Sequence, residues 1–307
     1  MLSIAMTTYN GSKYLQKQLD SILNQSYSDF ELVICDDCSI DDTFEILKIY
    51  EKRDSRIKIF KNNENIGFSK NFEKTISLCK FDYIALADQD DIWEENHLEL
   101  LLSNLNDSSA SVGNADIMNS FDEISCDLLS NRDLYFVDGN SKEKLFRILC
   151  YGNPFQGSSS LYRKELFKYA FPIPNDVEYH DAWFSAVACC LKGLNYSFDV
   201  VTHYRIHEKN TSGEHKINFF RQVVITLKRK TWETDRIIFC DELLKRIPNI
   251  SKEIKNIILI SKYFHENRIN GNRLKTIIFI LKNYKKIYAT DNYKKAFSRC
   301  MGILLKG

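Results

Sequence analysis

The sequence predicts an α/β fold, in which a mainly parallel sheet is flanked by helices and followed by a mostly helical C-terminal extension. Strand-type and helix-type patterns alternate four times within about the first hundred residues, which is typical of βαβ units. Two of the strand patterns end directly in acidic residues. From residue 216 onward the patterns are helical almost throughout, and the charge changes sign. We therefore divide the chain into a sheet region, residues 1–215, and a basic helical region, residues 216–307.

The alternation in the first region follows from the residue pattern of each element. Short apolar runs predict four strands, at residues 2–7, 30–35, 56–60 and 83–87. Apolar residues at helical spacing predict the helices that follow them, at residues 12–25, 39–53, 69–79 and 94–105. The first helix carries its apolar stripe at Leu15, Leu19, Ile22 and Leu23. Because crossovers between parallel strands are right-handed, we expect all four strands to end at one edge of the sheet.

Residues 106–215 have a less regular pattern. Strands are predicted at residues 111–119, 158–162 and 198–204, and helices at residues 141–149 and 181–191. Three of the four prolines of the chain lie in this part, at positions 154, 172 and 174. Prolines are typical of loops, and loops often shape a pocket, so we expect part of the functional site here.

The two regions carry opposite charge. Residues 1–215 hold 21 basic and 34 acidic side chains, whereas residues 216–307 hold 21 and 7. In the second region, an apolar face that begins at Phe219, Phe220 and Val223 is bordered by Arg221 and Lys228. Such helices can pack on the sheet region with their lysines in water, or they can lie on an anionic membrane surface. The sequence leaves both interpretations open.

Several features predict a cytoplasmic protein. No run of 18 uncharged apolar residues is present, and the N-terminus lacks the basic flank and long apolar stretch of a signal peptide. The nine cysteines are scattered and odd in number, which does not suit a disulfide framework. Cys35 and Cys38 form a CxxC pair, which can indicate zinc or redox chemistry, but no second pair lies at zinc-site spacing. We interpret the cysteines as small buried apolar side chains.

The fourth strand ends in three carboxylates within four positions, Asp88, Asp90 and Asp91. Side chains two apart in extended chain project to one side, so Asp88 and Asp90 can share a divalent cation. Alternatively, these acids only complement the dipole of the following helix. No glycine-rich phosphate loop is present, so a bound diphosphate would need a metal ion, with Mn²⁺ or Mg²⁺ as the expected cofactor. Lys70, three residues after Gly67, can reach a phosphate or can simply be a solvated helix lysine.

Four ordered motifs resemble those of family 2 glycosyltransferases with the GT-A fold, a Rossmann-like arrangement. They are MTTYNG at residues 6–11, DFELVICDDCS at residues 29–39, NIG at residues 65–67 followed by Asn71, and DQDD at residues 88–91. The resemblance spans residues 1–210. The forms DQDDIW and HDAW, at residues 88–93 and 180–183, are similar to bacterial rhamnosyltransferase-like members that build O-antigens and capsules. Cys38 departs from the pattern, because a small glycine is common after the paired acids.

The resemblance implies roles for individual residues that bind the sugar donor. Thr7, Tyr9 and Asp37 fall where family members hold the uracil or thymine ring of the nucleotide. Asp88 falls near the ribose, beside the metal ion, and Asp90 falls where a carboxylate binds the metal that bridges the diphosphate. Asp88 and Asp90 are therefore expected to be metal ligands, whereas Asp91 can still be only a helix-terminal charge.

The resemblance also implies roles for residues nearer the acceptor. Asp181 falls where the family places its catalytic base, although an aspartate here can also be a helix N-cap. His207 falls where some GT-A enzymes supply a further metal or phosphate contact. Gly157 and Ser158 fall at the usual acceptor-side turn, and Trp183 is interpreted as a packing or acceptor-stacking residue on the same side.

Together these roles imply an inverting, metal-dependent glycosyltransferase for hexosyl or rhamnosyl transfer. It would move a sugar from a UDP- or dTDP-sugar to a hydroxyl of a glycan acceptor, expected to be polyprenyl-diphosphate-linked, in O-antigen or capsule synthesis. A base would take the proton of the acceptor hydroxyl as its oxygen attacks the anomeric carbon. The chain would then be peripherally associated with the inner face of the cell membrane, through its basic helices.

Other functions stay open on the sequence alone. A nucleotidyltransferase can share a similar sheet, but the segment Asn10-Gly11-Ser12-Lys13 is a poor match to a glycine-rich basic loop. A nucleic-acid-binding or membrane-binding protein is a second alternative, from the basic helices, although we expect no nucleic-acid partner. A catalytically silent nucleotide-sugar binder is a third. The sequence does not reveal whether the chain forms a homodimer.

Overall fold

The computed structural model of the protein describes residues 1–128, 139–175, 177, 179–207 and 219–288. Within these residues, strands of a single sheet are β1 (Leu2–Thr8), β2 (Phe30–Asp36), β3 (Ile57–Lys61), β4 (Tyr83–Ala87), β5 (Ile92–Trp93), β6 (Ala110–Met118), β7 (Ile124–Leu128), β8 (Ser160–Arg163) and β9 (Leu194–Arg205). The helices are α1 (Ser12–Leu23), α2 (Thr43–Arg53), α3 (Phe68–Leu78), α4 (His97–Leu105), α5 (Ser141–Cys150), α6 (Phe167–Ala170), α7 (His180–Cys190), α8 (Phe219–Arg246), α9 (Lys252–Ile269) and α10 (Arg273–Tyr288).

The sheet has a parallel half and a mixed half. Its order is β3-β2-β1-β4-β8-β6-β9-β5, with β7 paired to β6. The strands β3, β2, β1 and β4 are all parallel, which confirms the prediction for the βαβ part of the chain. β8 then runs antiparallel to both β4 and β6, β9 runs parallel to β6, and β5 closes the far edge antiparallel to β9.

Side chains of the central strand β1 alternate between two apolar layers. Leu2, Ile4 and Met6 pack in a cluster with the apolar stripe of α1, whereas Ala5 joins the opposite cluster, which includes Phe72 of α3. Every residue of β1 and β2 is buried. Parallel strands with helices on both faces require this double burial, so these strands are apolar almost throughout.

The helical region shares the core of the sheet region. Phe239 and Leu243 of α8 and Ile258 of α9 belong to the same buried cluster as Trp183 of α7. For these described side chains, the packing interpretation of the basic helices is therefore correct. The predicted boundary at residues 215 and 216 lies outside the described residues, as do the side chains of the predicted apolar face that begins at Phe219, so both stay predictions.

A buried polar network holds the helical region to α5. His265 of α9 places Nδ1 2.5 Å from Oε2 of Glu233 in α8, and Nε2 2.8 Å from the carbonyl oxygen of Leu149 in α5. Arg268 lies 2.8 Å from the other carboxylate oxygen of Glu233. Glu233 and His265 are both buried. Since unpaired buried charges are costly, this network makes the packing of α8, α9 and α5 dependent on one carboxylate.

Some elements differ from the sequence prediction. The helix predicted at residues 94–105 begins only at His97, because Ile92 and Trp93 pair with β9 as the short strand β5. The strand β7 was not predicted; it forms the second arm of a hairpin with β6. Both depend on partners distant in the sequence, which periodicity does not reveal.

The cysteines and helix lengths bear on two further predictions. The cysteines among the described residues whose state is defined are free, and all of these except the half-buried Cys38 are buried. Burial raises the pKa of the Cys35 thiol, which disfavours the reactive thiolate. In the part of the chain that the structure describes, no helix combines the length and the apolar character that crossing a bilayer requires.

Candidate active site

The carboxyl ends of β1, β2 and β4 meet at one edge of the sheet. In the strand register Thr8 pairs with Asp36, and Met6 pairs with Ala87. The segments that follow these strands therefore start side by side. Thr8 Oγ1 donates a hydrogen bond to Asp36 Oδ1 at 2.9 Å, which fixes the end of β1 to the end of β2. This edge is where ligands bind in open parallel α/β sheets.

Gln89 holds the segment after β1 to the segment after β4. Its Oε1 accepts from the backbone N–H of Tyr9 at 2.8 Å, and its Nε2 donates to the carbonyl oxygen of Tyr9 at 3.0 Å. The amide fills the space over Gly11, where a Cβ atom would lie 2.0 Å from Gln89 Oε1. Tyr9 itself is 46% exposed, so its ring is open to a ligand. Gln89 thereby couples the predicted nucleobase side of the site to the acid stretch.

Asp37 is buried and organises the loop after β3. Its Oδ1 accepts from Asn62 Nδ2 at 2.7 Å and from the Ile66 N–H at 2.9 Å, and its Oδ2 accepts from the Gly67 N–H at 2.9 Å. Gly67 has a φ of 84°, a conformation that favours glycine. A carboxylate oxygen can accept two hydrogen bonds, so Oδ2 keeps acceptor capacity for one further donor, such as an imide N–H. The nearby Thr7 is also almost fully buried.

The acid loop, residues 88–91, concentrates negative charge. Burial raises the pKa of Asp88 well above its usual range, and the charges of Asp91, Asp90 and Asp181 raise it further. Burial and the charge of Asp90 raise the pKa of Asp91 to about 7, against the opposing effect of the Ser158 hydroxyl and Arg205. The loop is therefore short of positive charge, which a bound cation would supply.

Arg205 is a buried cation beside this loop. Its backbone N–H donates to Asp91 Oδ1 at 3.0 Å, and its Nε donates to the carbonyl oxygen of Asp90 at 2.6 Å. Its guanidinium lies over the ring of Tyr14, 4.4 Å from the centroid. His207, two residues further along the chain, stacks on Tyr14 with a distance of 5.1 Å between the ring centroids. Its Nε2 lies 2.7 Å from Asp90 Oδ2.

Asp181 lies in the first turn of α7, close enough to the acid loop for its charge to raise the pKa of Asp88. The N-cap of this helix is Tyr179, so the alternative in which Asp181 is only an N-cap is wrong. Burial raises the pKa of Asp181 to about 6, although the N–H of Ala182, at 2.6 Å from Oδ1, and the side chain of Asn153 oppose this rise. A carboxylate of raised basicity beside an acidic pocket has the character of a general base.

The turn at Gly157 lies beside Asp181. A Cβ atom at Gly157 would lie 3.4 Å from His180 Nε2 and 3.6 Å from Asp181 Cβ. His180 stacks on Phe72 with a centroid distance of 4.2 Å, and burial lowers its pKa to about 3, so its imidazole is neutral. The structure thus brings the predicted acceptor-side turn next to the predicted base.

Three further predicted site residues, Trp183, Ser158 and Lys70, differ in their exposure to solvent. Trp183 is fully buried and donates its indole N–H to the carbonyl oxygen of Ala170 at 2.8 Å, so the prediction that it contacts an acceptor is wrong, and it is a core residue. Ser158 is only 2% exposed and lies beside Asp91, so its side chain is buried near the acid loop instead of facing solvent. Lys70 is exposed in the first turn of α3, and its predicted phosphate contact stays a prediction.

Sequence reasoning missed several residues of the site. Gln89 stands inside the DQDD motif, but nothing in its type predicts that its amide turns back to Tyr9. Arg205 lies two residues before His207 in the segment YRIH, and an arginine in a predicted strand that ends near acids is the signal that was available. Tyr14 and Asn153 had no signal, because their roles depend on long-range contacts.

The acid loop fits a divalent cation in its donor type. Among the described residues, no group of three or more His, Cys, Asp or Glu side chains is arranged to hold a metal ion. The Nε2 atom of His207 is within hydrogen-bond distance of Asp90, so the role of His207 as a metal ligand stays a prediction. The carboxylates of Asp88 and Asp90 remain as hard oxygen donors, and the raised pKa of Asp88 shows that this position favours added positive charge. Mg²⁺-type ions are commonly held by one or two carboxylates together with substrate phosphates.

The chain is similar in sequence to known glycosyltransferases. The family model described as Glycosyl transferase family 2 matches residues 3–171. The UDP-Glc:alpha-D-GlcNAc-diphosphoundecaprenol beta-1,3-glucosyltransferase WfgD of Escherichia coli is 35% identical over 122 residues, 39% of this chain and 47% of WfgD. The O-antigen biosynthesis glycosyltransferase WbnJ of Escherichia coli is 28% identical over 224 residues, 69% of this chain and 82% of WbnJ. The chain thus spans less than half the length of WfgD, and matches to two other relatives span 39% and 37% of theirs.

A solved structure shows the same fold. The crystal structure of S. aureus TarS 1-349 in complex with UDP-GlcNAc superposes with a TM-score of 0.62 at 18% identity, covering 93% of this chain and 81% of that one. This likeness confirms the predicted GT-A fold, a mostly parallel sheet flanked by helices. The family model covers more than half of the chain. The chain therefore belongs to glycosyl transferase family 2.

Proposed function

We propose that this chain is an inverting glycosyltransferase that transfers a sugar from a UDP- or dTDP-sugar to a hydroxyl of a glycan acceptor. The acceptor would be carried on a polyprenyl diphosphate, and the product would be a surface polysaccharide such as an O-antigen or capsule. The names of WfgD and WbnJ support this class of acceptor and pathway, and the UDP-GlcNAc in the TarS crystal supports this class of donor. Such an acceptor would bring the chain to the cytoplasmic face of the membrane.

The observation that carries the proposal is Asp181, a carboxyl of raised pKa placed beside the acid loop. With a pKa of about 6, it is ionised near neutral pH and yet more basic than an ordinary aspartate. Its Oδ1 accepts from the Ala182 N–H, which orients the carboxylate at the start of α7. Gly157 leaves a space beside it that a Cβ atom would enter, at van der Waals distance from His180 Nε2 and Asp181 Cβ. An acceptor hydroxyl in that space would give its proton to Asp181 as its oxygen attacks the anomeric carbon.

The donor would occupy the edge formed by β1, β2 and β4. The exposed ring of Tyr9 offers a stacking surface for the base, and Asp37 keeps acceptor capacity for the base's N–H. Asp88 and Asp90 would hold a Mn²⁺ or Mg²⁺ ion. Such an ion, when bound, neutralises charge on the departing diphosphate as a Lewis acid. No covalent nucleophile is needed, so a single attack opposite the leaving group would invert the anomeric configuration.

The decisive experiment replaces the base and leaves its surroundings unchanged. Asp181→Asn should bind UDP or dTDP as wild type does in calorimetry, because Asp181 is not among the residues we assign to nucleotide. Its rate of sugar transfer should fall by about 10²–10⁴-fold, the usual contribution of a general base. Asp199→Asn, an exposed aspartate of β9, is the matched control and should transfer normally. Near-normal turnover of Asp181→Asn would refute the assignment.

Two further measurements identify the donor and the ion. Thermal-shift screening of UDP- and dTDP-sugars, with and without Mn²⁺, should raise the unfolding temperature only for the correct nucleotide, since ligands that bind the folded state stabilise it. The anomeric configuration of the product, read by NMR, distinguishes inversion from retention. Asp90→Ala should lose the effect of the ion together with nucleotide binding, and a variant that still responds to Mn²⁺ would contradict the role of Asp90.

A further inference from the structure

The helix α10 has two different apolar faces. Its inner face packs against α5 and α9, where Ile280 is fully buried and Phe279 stacks on Phe264 with a centroid distance of 4.6 Å. Thr276, also on this side, is 2% exposed. These contacts fix the rotation of the helix about its axis, so its other side faces away from α5 and α9.

The outer face of α10 exposes an aliphatic stripe. Leu274 is 72% exposed, Ile278 is 43% exposed and Leu281 is 50% exposed. Their spacing of four and three residues places them on one side of the helix, along about 10 Å of its length. Single exposed aliphatic residues are ordinary on protein surfaces, but these three form one contiguous aliphatic stripe along a helix face.

Basic side chains border this stripe, and no acidic residue lies on the same helix. Lys282 follows Ile278 by four residues, and Lys285 follows Leu281 by four, so each lies on the same side as the stripe. Lys275 adjoins Leu274, and all three of these lysines are exposed. The segment 273–288 carries five basic residues and no aspartate or glutamate. On α10 itself, the outer face thus combines aliphatic side chains with basic ones.

We propose that this outer face, Leu274, Ile278 and Leu281 with Lys275, Lys282 and Lys285, docks on an anionic membrane surface. An amphipathic helix of this kind lies in the interface plane, with its aliphatic side chains among the acyl chains and its lysines at anionic headgroups. The inference rests on the proposed function in one respect, because a lipid-linked acceptor gives the chain a reason to be at a membrane. Binding to lipid, however, needs no donor or acceptor.

Two other occupants fit the face less well. A second copy of the chain would bring the same positive charge to the contact, and three side chains are far fewer than the roughly 20–30 residues that each partner contributes to a stable interface. Nucleic acid would be attracted by the lysines, but three aliphatic side chains give it nothing to stack on. The combination of aliphatic stripe and positive charge therefore selects a lipid surface.

The test is co-sedimentation of the full chain with vesicles of phosphatidylcholine alone and of phosphatidylcholine with phosphatidylglycerol. One variant removes the stripe (Leu274→Ser, Ile278→Ser, Leu281→Ser), and another removes the charge (Lys275→Gln, Lys282→Gln, Lys285→Gln). The matched control is Ile49→Ser with Lys52→Gln, an exposed aliphatic and basic pair on α2. Wild type should prefer the anionic vesicles. Each test variant should bind them on the order of tenfold or more weakly, whereas the control should bind as wild type does.

Several results would overturn the inference. They are equal binding of wild type to both vesicle types, unchanged binding of the charge variant, whose exposed substitutions leave the core intact, or an equal loss in the control. If the stripe variant instead dissociates a dimer in sedimentation velocity while vesicle binding persists, a second copy occupies the face. Salt-sensitive binding of duplex DNA with no vesicle binding would point to nucleic acid instead. Sugar transfer to a water-soluble acceptor, measured in parallel, separates this inference from the proposed function, since either can fail while the other holds.

Discussion

Replacing Gly11 by alanine tests whether the Gln89 amide holds the nucleobase side of the site to the acid loop. A Cβ atom at this position would lie 2.0 Å from Gln89 Oε1, 2.2 Å from its Cδ and 2.8 Å from its Nε2. Gly11 has a φ of −107°, so alanine adds no backbone strain, and the N–H of this residue can still donate to Thr43 Oγ1. The side chain of Gln89 must therefore move, and both of its hydrogen bonds to Tyr9 must break.

The size of the effect follows from those two bonds. A neutral hydrogen bond contributes about 0.5–1.5 kcal/mol, so two contribute about 1–3 kcal/mol. Because Tyr9 is 46% exposed, water replaces part of what is lost, and we expect the lower part of this range. If the position of Tyr9 is needed for nucleotide binding, the Kd for UDP or dTDP should rise by about five- to tenfold. The kcat at saturating donor should change much less, because Asp181 does not touch this contact.

A double-mutant cycle gives the assay its control. Gln89→Ala removes the amide, and with it the atoms that crowd Gly11. The double variant should therefore bind nucleotide as Gln89→Ala alone does, with no further loss from the alanine at position 11. Calorimetric titration of the wild type, both single variants and the double variant measures this. Additive losses, or a Gly11→Ala variant with wild-type affinity, would refute the coupling.

The remaining predictions concern the base and the helical region. The kcat for transfer should fall as the pH drops through about 6, because Asp181 must be ionised to accept a proton; a flat profile across that value would contradict its role. Since folding raises the pKa of this carboxyl, its ionisation destabilises the folded state as the pH rises through about 6. Asp181→Asn should accordingly unfold at a higher temperature than wild type at neutral pH, with the difference vanishing near pH ~3, below the unfolded pKa. Glu233→Ala should lower the free energy of unfolding in urea by about 3–5 kcal/mol, because it strips His265 and Arg268 of their shared partner, whereas Glu253→Ala, at an exposed ion pair, should cost under about 1 kcal/mol.

The parallel half of the sheet was predictable because its signals are local. Each of its strands is a short apolar run that ends where polar residues begin, and the helices between them carry apolar stripes. The crossover rule then brought Thr7, Asp37 and Asp88 to one edge without any knowledge of long-range contacts. The residues expected on the donor side of the candidate site could therefore be predicted from the sequence, by their residue types and by the family motifs.

The rest of the site depends on contacts that one sequence does not encode locally. Trp183 stands two residues after Asp181 in a motif, yet the rotation of α7 turns it into the core against Ala170. Arg205 gains its role only because β9 passes beside the acid loop, and this pairing joins segments more than a hundred residues apart. Residue type and spacing carry no information on such rotations and pairings, so the acceptor side was predicted less well.

The fully buried Arg205 links the acid loop to a distant surface turn. The same side chain that donates to the carbonyl oxygen of Asp90 also donates to the carbonyl oxygen of Asn119, at 3.1 Å, and lies 2.5 Å from a carboxylate oxygen of Asp122. Between those two residues stands Phe121, whose ring is 81% exposed at the tip of the β6–β7 hairpin. One guanidinium thus contacts both this surface turn and the backbone of the acid loop. Because this side chain positions the acid loop, substitution of Asp122 is expected to alter binding at the predicted donor site, although the turn itself lies outside that site.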